Sequence, residues 1–421
     1  MIRNCPVAGI DVGKETFWLT VLAPDGREFI KPTKMDNNRS GLEGMILKLE
    51  KAKEAFNERP KILLESTGHY SENFLAFLIR KDYQVFLINP LQSHSIKSSG
   101  IRKAKTDKLD CVDIAKLYFM IDLKEYVKPD EYTYNLKILT RAYAKFTEEK
   151  TSLKNQLNKV LDEALPGYTK IFKDIAGSTS LEVLRNYGST DLLLNADRDK
   201  LTKLIATVSR RSCRDAEHKY ELLLSCAKDA KETGVAAKSL FTMITFLSDE
   251  LKYKRQQLAR LEEQITQLSI DVPAVELLES IPGIGQRLAP IFAAEIGEIS
   301  RFKTVKQLIA YCGIDPSVKQ SGNFVGSKNK FTKRGSPHLR HALYLAAIVS
   351  LKHKNGNYTN RIIYDYYERK TQSKAKKQAI GAVMNKLVRI IFSVLKNKRK
   401  YIPITPQQQI EMHKHHLKAI A

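Results

Sequence analysis

The chain has 421 residues and carries 70 Lys and Arg against 46 Asp and Glu, a formal net charge of +24. Its length suggests two or three domains, and a 43% hydrophobic share is enough for packed cores, which excludes global disorder. An excess of positive charge on this scale points to a polyanionic partner such as nucleic acid.

The first 125 residues alternate strands and helices. Cys5–Asp11 is a mostly apolar run followed by Gly13 and reads as a buried strand. Thr16–Ala23 is a second strand, Pro24-Asp25-Gly26 a turn, and Arg27–Lys31 the start of a third. Ser40–Ala55 is helical, Lys61–Ser66 a short buried strand, Ser71–Asp82 a helix, and Tyr83–Ile88 a strand stopped by Asn89-Pro90. Asp107–Met120 is a helix with Leu109, Val112, Ala115 and Phe119 on its apolar face. Three meandering strands followed by βα units predict a mixed sheet with helices on its faces.

From about Glu131 to Ile270 the pattern is helical. Leu153, Leu157, Val160 and Leu161 form one stripe, closed by Pro166-Gly167. Leu247, Leu251, Leu258, Leu261, Ile265 and Leu268 form an alternating heptad seam, with Lys254 at the one skipped position. Such a seam packs on a partner helix, from this chain or from another copy, and predicts a coiled-coil-like arm.

From Val272 onwards the chain is mainly helical and basic. Residues 301–421 hold 25 Lys and Arg against four acids, a net of +21, and no acid lies between Asp315 and Asp365. Ser280-Ile281-Pro282-Gly283-Ile284-Gly285 separates two apolar helices. Ser336 before Pro337 is an N-cap with a first-turn proline, opening a helix to about Lys352. A last helix spans Ala375–Lys396. The expected domains are therefore 1–125, an α/β domain; 126–271, a helical arm; and 272–421, a basic helical domain.

Several classes are set aside. No apolar run approaches the roughly 20 residues of a membrane span, and MIRNCPVAGIDVGKE lacks a signal-peptide layout. The five cysteines are scattered without a CxxC pair, which excludes a zinc ribbon or disulfide framework and fits a reducing, cytoplasmic setting. His413-Lys414-His415-His416 reads as a solvated tail with some capacity for metal.

Three constellations carry chemistry. Asp11 and Glu65 each lie at a strand end, and Asp107 and Asp110 lie three apart on one helix face, with Asp113 a substitute. Adjacent parallel strands would bring Asp11 and Glu65 to one sheet edge. Carboxylates gathered there repel one another unless divalent cations hold them, and oxygen-only ligands favour Mg²⁺ or Mn²⁺. The bland alternative is a set of caps and surface acids. The Gly283–Gly285 turn resembles a helix-hairpin-helix that grips a nucleic-acid backbone, or is a plain interhelical turn. Gln320-Ser321-Gly322 is followed by Lys328, Lys330, Lys333 and Arg334, with Arg340 further on. Dense cations of this kind stabilise charge at phosphate, although a loop serine is ordinarily a turn former.

Together GIDVGKE, LLESTGHY, KTDKLDCVDIAKL, SIPGIG, AAEIGEISRF, LIAYCGIDPSVKQSG, FTKRGSPHLRHAL and AIGAVMNKLVRIIF resemble the DEDD transposases of insertion sequences of the 110 type. The resemblance covers both ends and leaves the helical middle without recognisable motifs; Cys312 and His69 stand where smaller residues are common. It implies a RuvC-like N-terminal domain with the RNase H fold, and an acidic tetrad at Asp11, Glu65, Asp107 and Asp110. It also implies that Ser321 attacks DNA to form a phosphoserine link. Metal site and serine would combine across a homo-oligomer, a dimer or tetramer, guided by a structured RNA. The competing expectations are a junction-resolving nuclease without a covalent intermediate and a non-catalytic nucleic-acid scaffold.

Overall fold

The computed structural model describes residues 5–65, 70–90, 107–317, 320–321, 324–325, 330–403 and 408; at Asp107, Gln320, Ser321, Phe324 and Val325 it describes the backbone alone. The chain forms two compact units, Met1–Lys128 and Pro129–Ala421.

In the first unit, β1 (Val7–Val12), β2 (Thr16–Leu22) and β3 (Glu28–Asp36) form an antiparallel meander. Helix α1 (Arg39–Phe56) leads to β4 (Lys61–Glu65), α2 (Tyr70–Arg80), β5 (Val85–Ile88) and α3 (Asp107–Met120). The sheet order is β3-β2-β1-β4-β5, with β4 parallel to both β1 and β5. Strand β3 runs five residues past the expected Lys31, through Pro32. Proline is tolerated there because β3 is an edge strand and needs no donor on its outer side.

Alternation along β1 sorts its side chains between two layers. Ala8, Ile10 and Val12 pack with Met45, Leu49 and Phe74 from α1 and α2. Val7 faces the other way, with Leu63, Ile114 and Leu117 under α3. Gly9 shares that face. A Cβ on it would lie 2.1 Å from the Cys111 carbonyl oxygen and 2.7 Å from the Ala115 amide nitrogen. Glycine is therefore what lets α3 lie directly on β1.

The second unit opens with α4 (Glu131–Ala164), capped by the Asp130 carboxylate, which accepts from the Thr133 amide at 2.9 Å. Five shorter helices follow: α5 (Tyr168–Ile171), α6 (Ser178–Tyr187), α7 (Thr190–Leu194), α8 (Arg198–Ser209) and α9 (Cys213–Thr233). Helix α10 (Lys238–Ser269) returns antiparallel to α4. Leu157 and Leu161 share a core with Ile244, Leu247 and Leu251, while Leu136 shares another with Ile265. The seam is thus filled from within one chain. At its skipped position the Lys254 ammonium pairs with Glu149 at 2.8 Å and lies 4.2 Å from the Phe146 ring centre.

The remainder is α11 (Pro273–Glu279), α12 (Ala289–Ile296), a 3₁₀ turn at Ile299–Arg301 and α13 (Val305–Cys312). Two short hairpins, β6 (Gln320–Ser321) with β7 (Phe324–Val325) and β8 (His353–Lys354) with β9 (Asn357–Tyr358), bracket α14 (Pro337–Ser350). Helices α15 (Arg361–Thr371) and α16 (Lys376–Asn397) close the unit. Contrary to the sequence reading, α16 is long and apolar enough to cross a membrane, with 22 residues and an 18-residue stretch of mean hydropathy 1.4. Its apolar side is core instead. Val383, Leu387, Val388 and Ile391 are buried with Leu278, Phe292 and Leu343.

Candidate functional site

The acidic residues occupy core elements of the first unit. Asp11 lies two residues beyond Gly9 on β1, so it projects on the face covered by α3. The β1–β4 register pairs Gly9 with Leu63 and Ile10 with Leu64. One step further brings Asp11 level with Glu65, which pairs with Ile88 on β5. Leu63 belongs to the α3-side core, so Glu65, two residues on, shares Asp11's face.

Helix α3 contributes Asp110. Its neighbour Cys111 is fully buried and donates to the Lys108 carbonyl at 3.2 Å. Burial, then the negative charge of Asp11 and to a smaller degree that of Asp110, pushes the Cys111 thiol up to about 12. Both negative charges are therefore felt at the Cys111 thiol on α3. Glu65 and Asp110 are 8% and 7% exposed, while Asp11 is half-buried, so the group opens to solvent on the Asp11 side.

Asp107 starts α3, and its side chain lies outside the described residues, as do Ser66, Thr67, Gly68 and His69. Among the described residues no three His, Cys, Asp or Glu side chains form a ready metal-holding group. Asp113 is half-buried one turn after Asp110. The donor chemistry is nevertheless oxygen-only and anionic, which fits a hard divalent cation and not a thiophilic one.

Ser321 lies on β6, paired with Phe324 of β7. A two-stranded ribbon leads to that hairpin. The Ser317 amide donates to the Lys330 carbonyl at 2.7 Å, and the Thr332 amide to the Asp315 carbonyl at 3.0 Å. Pro316 bridges Phe331 between them. Lys330, Lys333 and Arg334 are exposed on the returning strand, and Lys333 adopts a left-handed φ of 55°. Lys328 and the His413–His416 tail lie outside the described residues.

Three expected contact residues have structural duties. The Arg340 guanidinium donates to the Cys312 carbonyl at 3.3 Å and braces the end of α13. Gly283 has φ +103°, and a Cβ there would fall 2.0 Å from the Ser350 hydroxyl. Its freedom serves packing, since Ser350 and Asn360 both donate to the Pro282 carbonyl, at 3.2 and 3.0 Å. Gly285 has nothing near a Cβ and leaves its backbone approachable; its carbonyl accepts from the Leu288 and Ala289 amides that open α12.

The sequence reading missed Glu295. It is 2% exposed on α12 and binds the Arg141 guanidinium of α4 through both oxygens, at 2.6 and 3.1 Å. The Ser336 hydroxyl, cap of α14, donates to the same carboxylate at 3.1 Å. Burial works to raise the Glu295 carboxyl. The Arg141 bonds, with the charges of Arg141, Lys137 and His338, outweigh it and hold the group below its ordinary value. One carboxylate thus ties the arm to the helix that follows the serine ribbon.

Comparison with known proteins accounts for both ends of the chain. Residues 8–166 match a family model described as Transposase, of the IS110 DEDD type. Residues 275–365 match one described as Transposase IS116/IS110/IS902 family. The chain is 24% identical over 403 residues to the insertion element IS116 uncharacterized 44.8 kDa protein of Streptomyces clavuligerus, spanning 95% of this chain and 97% of the relative. It is 24% identical over 401 residues to the pilin gene-inverting protein of Moraxella bovis, spanning 93% and 96%. It is also 24% identical over 291 residues to the transposase for insertion sequence element IS1111A of Coxiella burnetii, spanning 66% and 70%. With one match over the acidic strands and the other over the serine ribbon, the chain belongs to the IS110 family of insertion-sequence transposases.

Proposed function

We propose that this transposase cuts and rejoins DNA strands with two chemically different groups, an acidic metal site and a serine nucleophile. What supports the reading is that the β1–β4 register sets Asp11 level with Glu65 on the sheet face covered by α3, the helix that carries Asp110. The strand order, with β1 antiparallel to β2 and parallel to β4, supports a RuvC-like version of the RNase H fold. Asp11, Glu65, Asp107 and Asp110 hold the cation in this reading, Mg²⁺ or Mn²⁺. When bound, it supplies Lewis-acid stabilisation of charge on the phosphate oxygens.

Ser321 is the proposed nucleophile. Its Oγ bonds to phosphorus, the bond from phosphorus to the adjoining deoxyribose oxygen breaks, and the freed hydroxyl takes up a proton. Attack by a hydroxyl from another strand reverses the step and restores the serine. Lys328, Lys330, Lys333 and Arg334 offset charge on the phosphoryl group, and Gly285 offers approachable backbone. Such a step conserves the phosphodiester energy, which suits the inversion named for the Moraxella relative. Residues 1–125 act as the metal domain, 126–271 as a coiled-coil-like arm and 272–421 as the serine-bearing domain. A structured guide RNA selects the DNA, and a dimer or tetramer brings the two groups together.

Trapping of protein–DNA adducts tests this. Wild type gives a denaturant-resistant adduct in Mg²⁺, and Ser321→Ala gives none. An adduct that persists in Ser321→Ala ends the nucleophile assignment. Cleavage with no adduct in wild type leaves a junction-resolving nuclease, and salt-sensitive binding without chemistry leaves a scaffold.

A further inference from the structure

The ribbon below Ser321 forms one wall of a groove of about 690 Å³. Pro316, Phe331, Tyr366, Lys370, Lys374 and Lys377 line it, and no acid does so among the described residues. Phe331 reaches the groove over Gly381 of α16, where a Cβ would lie 2.9 Å from its ring. The Lys370 ammonium lies 5.4 Å from the centre of the Tyr366 ring. Lys374 and Lys377 are exposed, and none of the three lysines joins an ion pair among the described residues. The neighbouring acid Asp365 is engaged by Arg361 at 2.8 Å, and Glu368 is exposed without lining the groove.

This arrangement costs stability unless an anion occupies it. Lys374, Lys376 and Lys377 crowd the start of α16, whose first turn holds no acid and has no side-chain cap. Cations are disfavoured at that end of a helix. Aromatic rings among lysines add stacking or apolar contact beside phosphate charge.

We propose that this groove binds the sugar-phosphate backbone of DNA next to the strand that Ser321 attacks, an assignment that rests on the reading above. Pro316 is five residues from Ser321, so the chain between them spans at most roughly 17 Å. That is about five phosphates along one strand at a rise of 3.4 Å. The groove holds the strand and sets its register, within reach of the serine hairpin that continues from its ribbon wall.

The test compares two full-length triple variants of equal charge loss. One is Lys370→Gln/Lys374→Gln/Lys377→Gln. The other removes Lys203, Lys228 and Lys231, which are exposed on the arm. Affinity for a 30-base-pair duplex is read by fluorescence anisotropy across a salt series. The groove triple lowers the salt slope by about 2 to 3 and weakens binding roughly 10- to 100-fold, and the arm triple changes the slope by less than about 1. Arginine at the same three groove positions retains wild-type binding. Equal slopes for the two triples overturn the groove, and so does a loss confined to an RNA duplex of the same length. If the groove triple binds normally while wild type still forms the Ser321 adduct, the groove fails and the proposed chemistry stands. If wild type binds the duplex but forms no adduct, the chemistry fails and the slope comparison still decides the groove.

Discussion

In the proposed function, the acidic face of the first unit and the basic surface of the second solve different problems. The carboxylates sit on β1, β4 and α3, elements held by buried cores on both faces of the sheet. The cations sit on a narrow ribbon and on exposed helix starts. Carboxylates that share a cation must be fixed in position, because charge stabilisation there depends on sub-ångström geometry. Cations that grip a polymer of phosphates act additively and tolerate movement. The same chain therefore spends its packing on the first group and its composition on the second.

That contrast can be broken most decisively at Asp11. Asp11→Asn is expected to lower Mg²⁺-dependent strand cutting on the order of a thousandfold. Its thermal midpoint in EDTA stays equal or rises, because one of the mutually repelling carboxylates is gone. A variant that cuts like wild type removes the first half of the comparison.

Gly9→Ala tests whether packing fixes the acids. The new methyl meets backbone at 2.1 Å, and backbone of a buried helix cannot step aside cheaply. The expected loss is about 3 kcal/mol, read from urea midpoints. Unchanged stability would mean that α3 does not rest on β1 as described.

Glu295→Gln carries the comparison into the second unit. It leaves Arg141 without its carboxylate. Because the Arg141 side chain is 46% exposed, the expected cost is about 2 kcal/mol and not the larger value of a fully buried pair. The Glu295 carboxyl is held below its ordinary value, so its contribution is complete above the unfolded value near about 4.3 and is lost as pH falls through the folded one. The gap between wild type and variant in urea midpoint should therefore be wide at pH 7 and start to narrow once pH falls below about 4.3. A gap that widens in acid contradicts the assignment.

The smallest effect is expected at Lys254. Lys254→Ala costs about 1 kcal/mol, since its ion pair with Glu149 and its contact with Phe146 are partly screened. Lys254→Leu restores the apolar seam and changes stability little. A loss above about 3 kcal/mol in either variant would show that the lysine does more than fill a gap.

Regular, long or alternating segments were legible from residues alone. The strand–strand–strand–helix–strand–helix–strand–helix order came from apolar runs and Gly/Pro breaks, and it matches β1 to α3. The heptad seam was legible too, although spacing could not tell which chain supplied the partner helix. Gly9 was not legible. A glycine in an apolar run carries no mark of the helix that will lie on it. Glu295 looked like any acid in a helix, because its partner Arg141 is 154 residues away. The β8–β9 hairpin had a signal that went unread: Asn355-Gly356, both with positive φ, is the pair a two-residue hairpin turn demands. Asp11, Glu65 and Asp110 were legible as strand-end and helix-face acids. The groove was not, since Phe331, Lys370 and Lys377 come from three separate segments.

The folding of α10 back onto α4 has a further consequence. The buried leucines and isoleucines of both long helices pack against the same polypeptide. The fold of the arm therefore does not wait on a second copy of the chain to supply the other side of its seam. The helical signal of the arm should accordingly persist on dilution under native conditions.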